Sequence, residues 1–309
     1  TDALHLALKS CGVGPGDGVL TVSHTAVATV AAIELAGARP VLVDMDPETF
    51  ALDPQHAIDT LANVKDIKAI VPVHLYGHPA DMSAIAEVAE RHSLFFIEDC
   101  AQAHGATILG QKVGGWGHWG VFSFYPTKNL GALGDAGALV TNDSDLAERA
   151  RQLREYGWVE RYVSDFEGMN TRMDEIQAGV LNAKLPYLDM ENRRRREIAA
   201  LYDRLLSNTG LKLPSVRDGM EHVFHQYVVR TPNRDDLRTF LSAREIGTLI
   251  HYPVPVHLQP AYRDRLEVGP GGLPHTEQAC LEILSLPMYP QMTDDQVHRV
   301  CEPLGIWCS

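Results

Sequence analysis

The sequence predicts an α/β chain: a mostly parallel sheet with helices on both faces, followed by a smaller α+β unit. Two observations carry this. Short apolar runs alternate with amphipathic helical segments through the first hundred residues. After residue 142 the texture turns helical and charged, before a new strand starts near residue 224.

The elements follow in order. Residues 1–8 read as an N-cap threonine, an acidic first turn and an apolar helical face. Nothing leads into that cap, so a native segment is expected ahead of it. GVLTV (18–22) is a strand after the turn GPGD, and 29–38 is a helix closing on glycine. PVLVDMD (40–46) is strand-like and 54–62 helical. KAIVPVHLYG (68–77) is a buried strand running into a loop. The helix expected over 81–93 has an acidic start and a basic end, as the macrodipole favours. LFFIEDC (94–100) is an apolar strand ending in two carboxylates. Ligands of such sheets sit beyond the carboxyl ends of the strands. His74, Glu98, Asp99 and Ser123 all fall there.

After GALVTN (137–142) a helix is expected over about 145–156, then a polar loop and two further helices. The second helix carries the arginine run of ENRRRREIAALYDRLL (191–206), which reads as a solvated face. The small unit comprises a strand at 224–230, a helix at 234–246, the proline-spaced loop HYPVPVHLQPAY (251–262) and helices near 275–284 and 293–302. The expected division is 1–190 for the large domain and 191–309 for the small one.

Composition narrows the function. A chain of 309 residues that is 45% hydrophobic can bury a sizeable core. No run reaches the roughly 18 apolar residues that a membrane span needs. The five cysteines, odd in number and without paired metal-ligand spacing, fit free thiols in a reducing compartment, the cytoplasm, and no metal site is expected. A net charge of −13 argues against a nucleic-acid surface.

SFYPTKNLGALGDAG (123–137) poses the chemical question, because one lysine stands between a strand and a glycine-rich turn. A lysine that carries a carbonyl cofactor as an imine explains its neighbours. Such a cofactor needs a carboxylate beside its pyridine nitrogen. It also needs hydroxyls and a helix N-terminus for its phosphate. Lys128, Asp99, Ser123, Thr1 and Asp2 supply these types. Each alone has an ordinary reading as a solvated lysine, a turn residue or a helix cap.

IEDCAQAHGA (97–106), SFYPTKNLGALGDAGALVTND (123–143), GMNTRMDEIQAGVL (168–181) and HYPVPVHLQPAY (251–262) occur together and in order. In these motifs the chain resembles the pyridoxal-phosphate-dependent sugar aminotransferases of the DegT/DnrJ/StrS family, which are fold-type I enzymes. The resemblance runs through nearly the whole chain. It implies a seven-stranded, mostly parallel sheet holding pyridoxal 5'-phosphate, a small C-terminal α+β domain, and a homodimer with shared active sites. It implies that Lys128 binds the cofactor aldehyde, that Asp99 pairs with the pyridine nitrogen, and that Gln102 lies near the ring hydroxyl. Ser123 and the amides of Thr1 and Asp2 would hold the phosphate, joined by Asn170 from the other subunit.

The chain departs from the family at Ala26, where an aromatic usually stacks on the cofactor. His24 is a substitute for that ring, or an ordinary histidine at a helix start. Thr127 stands where glycine is common, and GDAG replaces GDGG. The implied reaction moves an amino group from L-glutamate to a ketone on a nucleotide-linked 6-deoxyhexose. Members that dehydrate sugars carry histidine at the lysine position, so Lys128 points to transamination. KNLGALGD is similar to members that aminate C-3, and C-4 is the alternative. A non-catalytic regulatory member of the same fold is the second class. Tyr125, His251 and His257 are candidates to line the sugar site, and Arg154, Arg161 and Arg172 to meet its diphosphate.

Overall fold

The computed structural model describes residues 1–307, so the fifth cysteine, Cys308, lies outside the described residues. A seven-stranded sheet forms the centre. Its spatial order is Glu267–Val268, Arg39–Val43, Gly18–Val22, Ile67–Val71, Phe95–Asp99, Trp119–Ser123, Gly137–Val140. Every neighbouring pair is parallel except the last, where Gly137–Val140 runs antiparallel to Trp119–Ser123. The expected seven-stranded, mostly parallel sheet is therefore present. Gly18–Val22 is buried at all five positions, as a central strand covered on both faces requires.

The helix Asp2–Ser10 packs Leu4, Ala7 and Leu8 against Val19, Ala69, Ile97 and Trp119. On the opposite face Ile85 and Ala89 of Met82–Arg91 pack with Ile70 and Phe96. Asp81 and Asp143 cap Met82–Arg91 and Ser144–Arg154, each accepting backbone N–H bonds. Thr1 stands at the N-cap of the first helix but makes no side-chain capping bond.

Several boundaries moved for local reasons. The second helix spans Val27–Leu35, and the chain leaves it through Gly37 at φ 83°. The strand expected from 224 begins at Tyr227, because Phe224 takes a left-handed φ of 42°. The helix expected to 246 ends at Ser242, three residues ahead of the left-handed Glu245 at φ 59°.

Tyr227–Arg230 and Ile283–Leu286 pair antiparallel. They enclose a second core with Ile198, Tyr202, Leu237, Val297 and Leu304. The arginine run is not one solvated face. Arg195 is 7% exposed and donates to Phe224 O at 3.0 Å and Met288 O at 3.2 Å, and burial lowers its pKa to about 10. Arg194 donates to Met292 O at 2.8 Å and Asp294 Oδ1 at 2.7 Å. Two of the arginines thus dock the helix Leu188–Leu206 on the C-terminal segments. The chain also returns to the large sheet, because Glu267–Val268 adds beside Arg39–Val43 and an Arg39–Glu267 ion pair ties its edge. Among the described residues no helix is long and apolar enough to cross a membrane.

Candidate active site

Strand Trp119–Ser123 delivers the chain to the turn that carries Lys128. Phe124 N bonds Ala136 O, Ala132 N bonds Phe124 O and Lys128 N bonds Tyr125 O, each at 2.8 Å. A Cβ at Gly131 would lie 2.5 Å from Pro126 O, so the tight turn admits glycine alone. Lys128 itself is half-buried, and its ammonium makes no hydrogen bond or ion pair among the described residues. Burial lowers its pKa, and the nearby Asp99 charge opposes that shift.

Asp99 ends strand Phe95–Asp99 and is 4% exposed. Its Oδ2 accepts from Thr29 Oγ1 at 3.0 Å and its Oδ1 from Ala101 N at 3.1 Å. The Asp99 peptide is fixed as well, since His74 N bonds its carbonyl and its N–H bonds Pro72 O. The residue is an oriented carboxylate with two donors.

Three imidazoles complete the surroundings of Lys128. His104, His225 and His251 are each held neutral by burial, with the lysine charge lowering them further. His225 donates from Nδ1 to Asn129 Oδ1 at 3.0 Å. That direction is fixed, because Asn129 Nδ2 donates to Val223 O and to Asn192 Oδ1. Asn129 thus braces the lysine turn from behind. His104 lies between Phe122 and Phe124, and neither of its ring nitrogens finds a hydrogen-bond partner.

Gln102 is buried, with Oε1 accepting from Tyr76 N at 2.6 Å and Nε2 donating to Tyr252 Oη at 3.2 Å. Burial and the Asp99 charge push the Tyr252 hydroxyl up to about 12, so it stays protonated. His251 bonds Ser285 Oγ through Nδ1 at 2.9 Å. Tyr252, Tyr76, Asn129 and His225 were not singled out in the sequence. Tyr252 stands beside His251 in a quoted motif, which was the available signal.

At the other end of the constellation, Ser123 pairs with Gly137 across the antiparallel edge. A Cβ at Gly137 would lie 3.5 Å from Ala3 Cβ, so the start of the first helix packs directly on this pair. Thr1, Asp2 and Ser123 therefore share one corner. Asp2 Oδ2 accepts from Thr171 Oγ1 at 3.0 Å. Asn170, next along, is exposed and forms an isolated bridge with Glu155.

Other candidates are engaged elsewhere. His257 is tied through Nδ1 to Ser23 Oγ at 2.7 Å and through Nε2 to Glu277 Oε1 at 3.2 Å. Tyr125 shares the lysine turn but is 51% exposed. Arg154 pairs with Glu155 and Arg161 stacks on Tyr162. His24 is fully buried against Phe50 and Tyr76, so its ring is not offered to a ligand. The close trio of His74, Glu98 and Cys100 is internally satisfied. Glu98 accepts from His74 Nε2 and from the amides of Gly114, Trp116 and Gly117. Burial alone would raise Glu98, but those donors hold it below the usual carboxylate range. The trio braces the strand end that carries Asp99.

These residues fit a phosphorylated pyridine aldehyde. The lysine lacks a partner, buried imidazole nitrogens nearby are orphaned, and a helix start whose Thr1 hydroxyl makes no capping bond lies beside the Ser123 hydroxyl. An oriented carboxylate within charge range of the amine fits a ring nitrogen. Lys128 would hold the aldehyde, Asp99 the pyridine nitrogen, Gln102 the ring edge, and the helix corner the phosphate.

Residues 1–305 match the sequence profile described as the DegT/DnrJ/EryC1/StrS aminotransferase family. The chain is similar to a "dTDP-3-amino-3,4,6-trideoxy-alpha-D-glucose transaminase" of Streptomyces venezuelae, 46% identical over 100% of this chain and 81% of the relative. It is also similar to a "Pleiotropic regulatory protein" of Geobacillus stearothermophilus, 48% identical over 99% of this chain and 82% of the relative. Among solved structures, S. venezuelae DesV in complex with a ketimine intermediate superposes with a TM-score of 0.95 at 46% identity, covering 100% of this chain and 82% of that one.

Proposed function

We propose a reaction from one premise, that this chain belongs to the DegT/DnrJ/EryC1/StrS aminotransferase family. The chain is a pyridoxal-phosphate-dependent aminotransferase of nucleotide-linked keto sugars. In our reading the amino group comes from L-glutamate and goes to C-3 of a nucleotide-linked 6-deoxyhexose. The name of the S. venezuelae relative, a 3-amino sugar transaminase, supports C-3 over C-4. The single observation that carries the chemistry is Lys128, unpaired, lowered in pKa and within charge range of the oriented Asp99.

Bound pyridoxal phosphate supplies an aldehyde for the incoming amine and a ring that stores an electron pair. The chain's own residues do the rest. Lys128 would hold the aldehyde, and its Nζ is the base placed to take the donor's α-proton. Its lowered pKa raises the neutral fraction that this task needs. Asp99 would pair with the pyridine nitrogen, and Thr29 and the Ala101 amide keep that carboxylate aimed. Gln102, bonded to Tyr252, would lie at the hydroxyl edge of the ring. The Ser123 hydroxyl and the amides opening the first helix receive the phosphate.

We further read the protein as a homodimer, with Asn170 reaching the phosphate of the partner subunit. Leu133 is 77% exposed and Ile176 is 72% exposed, on segments joined by the Leu133 N to Gln177 Oε1 bond, and such a shared apolar patch supports self-association. The division near residue 190, with the cofactor on the first part, belongs to the same reading. Four buried free cysteines among the described residues support a cytoplasmic enzyme.

The regulatory name of the G. stearothermophilus relative keeps a non-catalytic role as the competing reading. Incubation with pyridoxal phosphate, L-glutamate and a panel of dTDP- and UDP-linked 3-keto and 4-keto sugars separates the two. The expected result is one 2-oxoglutarate per amino sugar, with 3-keto sugars preferred. Absence of amino sugar from every acceptor, with cofactor bound, would overturn the catalytic reading.

A further inference from the structure

His24 touches none of the groups assigned to the reaction, yet it bonds the Tyr76 hydroxyl, and the Tyr76 amide in turn bonds Gln102. Tyr76 Oη donates to the carbonyl of His251, which can only accept. A tyrosine has one hydroxyl proton, so Tyr76 Oη must accept the 2.7 Å bond that it shares with His24 Nε2. His24 is fully buried and neutral, its pKa lowered by burial to about 3. Its proton is therefore on Nε2 and its Nδ1 carries a bare lone pair. Cys280 Sγ lies 3.4 Å from that Nδ1 and is the donor there, since burial raises the thiol to about 12. The order is single: Cys280 to His24, His24 to Tyr76, Tyr76 to the His251 carbonyl.

The chain clamps a residue held in an unfavourable backbone conformation. Tyr76 sits at φ 59°, ψ −1° inside the turn Leu75–Gly77, and it is buried. A bulky residue in this region is strained and persists only where its surroundings hold it. His24 and Phe50 pack on its ring with centroids at 5.9 and 5.3 Å. This conformation aims the Tyr76 amide at Gln102 Oε1, 2.6 Å away. With Oε1 so occupied, the Gln102 amide has one orientation left, with Nε2 toward Tyr252 Oη.

We propose that His24 is a positioning residue: by donating from Nε2 it holds Tyr76 in its turn, so that Gln102 presents a donor, and not an acceptor, to Tyr252 and the cofactor ring. The proposal rests on the functional reading above for what occupies the pocket. The tautomer itself does not.

Side-chain 15N spectra of labelled protein without cofactor, with His24 assigned by comparison with His24→Gln, test the clamp directly. The expected signature is a protonated Nε2 and a bare Nδ1. A protonated Nδ1 would overturn the proposal. Cofactor titrations give the second readout. His24→Gln keeps an amide donor and should hold affinity within about twofold. His24→Leu should weaken it about tenfold and shift the absorption maximum of the bound cofactor. Tyr76→Phe deletes only the hydroxyl and should weaken it several-fold, which covers the case in which His24→Leu does not fold. If the variants bind cofactor like the parent, with the parent spectrum, His24 is a packing residue only. Failure of the functional reading looks different, as parent protein that takes up no pyridoxal phosphate.

Discussion

Thr29 Oγ1 donates a 3.0 Å hydrogen bond to Oδ2 of Asp99, joining the first turn of one helix to the end of a strand 70 residues further on. The bond orients a buried carboxylate whose other oxygen is already held by the Ala101 amide.

Thr29→Val preserves shape and removes this donor. A hydrogen bond to a charged group contributes about 1.5–3 kcal/mol, and a buried acceptor left bare costs about as much. Urea unfolding at neutral pH should show a loss in that range, with a several-fold weaker affinity for pyridoxal phosphate. An unchanged midpoint would mean that Asp99 is solvated in its place.

Lys128 gives a pH-dependent signature without any cofactor. Its folded pKa lies below its unfolded value, so between the two the unfolded chain binds the extra proton. Stability of the cofactor-free protein should therefore rise as pH is raised through that window toward about 10.4. Lys128→Met lacks this slope, so the stability gap between it and the parent should narrow with rising pH in paired urea titrations. The same variant should lose amino transfer, and borohydride should no longer fix cofactor to the chain.

Buried histidines set the acid limit. Burial lowers His24 to about 3, and His78 and His104 to about 4, so the native state refuses protons that the unfolded chain takes up near 6.5. Stability should fall steadily as pH drops from about 6.5 toward 4. His104 makes no hydrogen bond from either nitrogen, so His104→Phe should be neutral or stabilising in the cofactor-free protein, and should flatten the acid slope. Denaturation midpoints at several pH values between 7 and 4.5 check both.

Self-association should depend on the patch that includes Ile176. Ile176→Asp leaves the fold untouched, because the side chain is 72% exposed, but places a charge in an apolar contact. Sedimentation should show the parent as a dimer and the variant dissociating at least about tenfold more readily. Mixed dimers of Lys128→Met with Asn170→Ala should then differ in activity from either homodimer, since one shared site would be whole.

Much of the architecture was legible. GVLTV and LFFIEDC are continuous apolar runs of strand length, and only a sheet covered on both faces buries such runs. The lysine turn was legible because Gly131 leaves no room for a Cβ and the pattern of small residues reports that. The return of Glu267–Val268 to the large sheet was not, because two residues carry no periodicity. Arg195 was missed for a related reason. Four successive arginines look alike in sequence, and only the helix phase sends one of them inward.

The sequence by itself determined the central strands of the sheet, the turn and the presence of one amine, one carboxylate and one helix start at the strand ends, because local patterning dictates all of these. The tertiary structure decided the protonation and aim of each group. His24, Asn129, His225 and Tyr252 acquire their roles only from partners at least 52 residues away in the chain, at Tyr76 and Cys280, at Val223 and Asn192, at Asn129 and at Gln102. Hydrogen-bond direction and desolvation arise from what folding brings together, and no single stretch of sequence contains them.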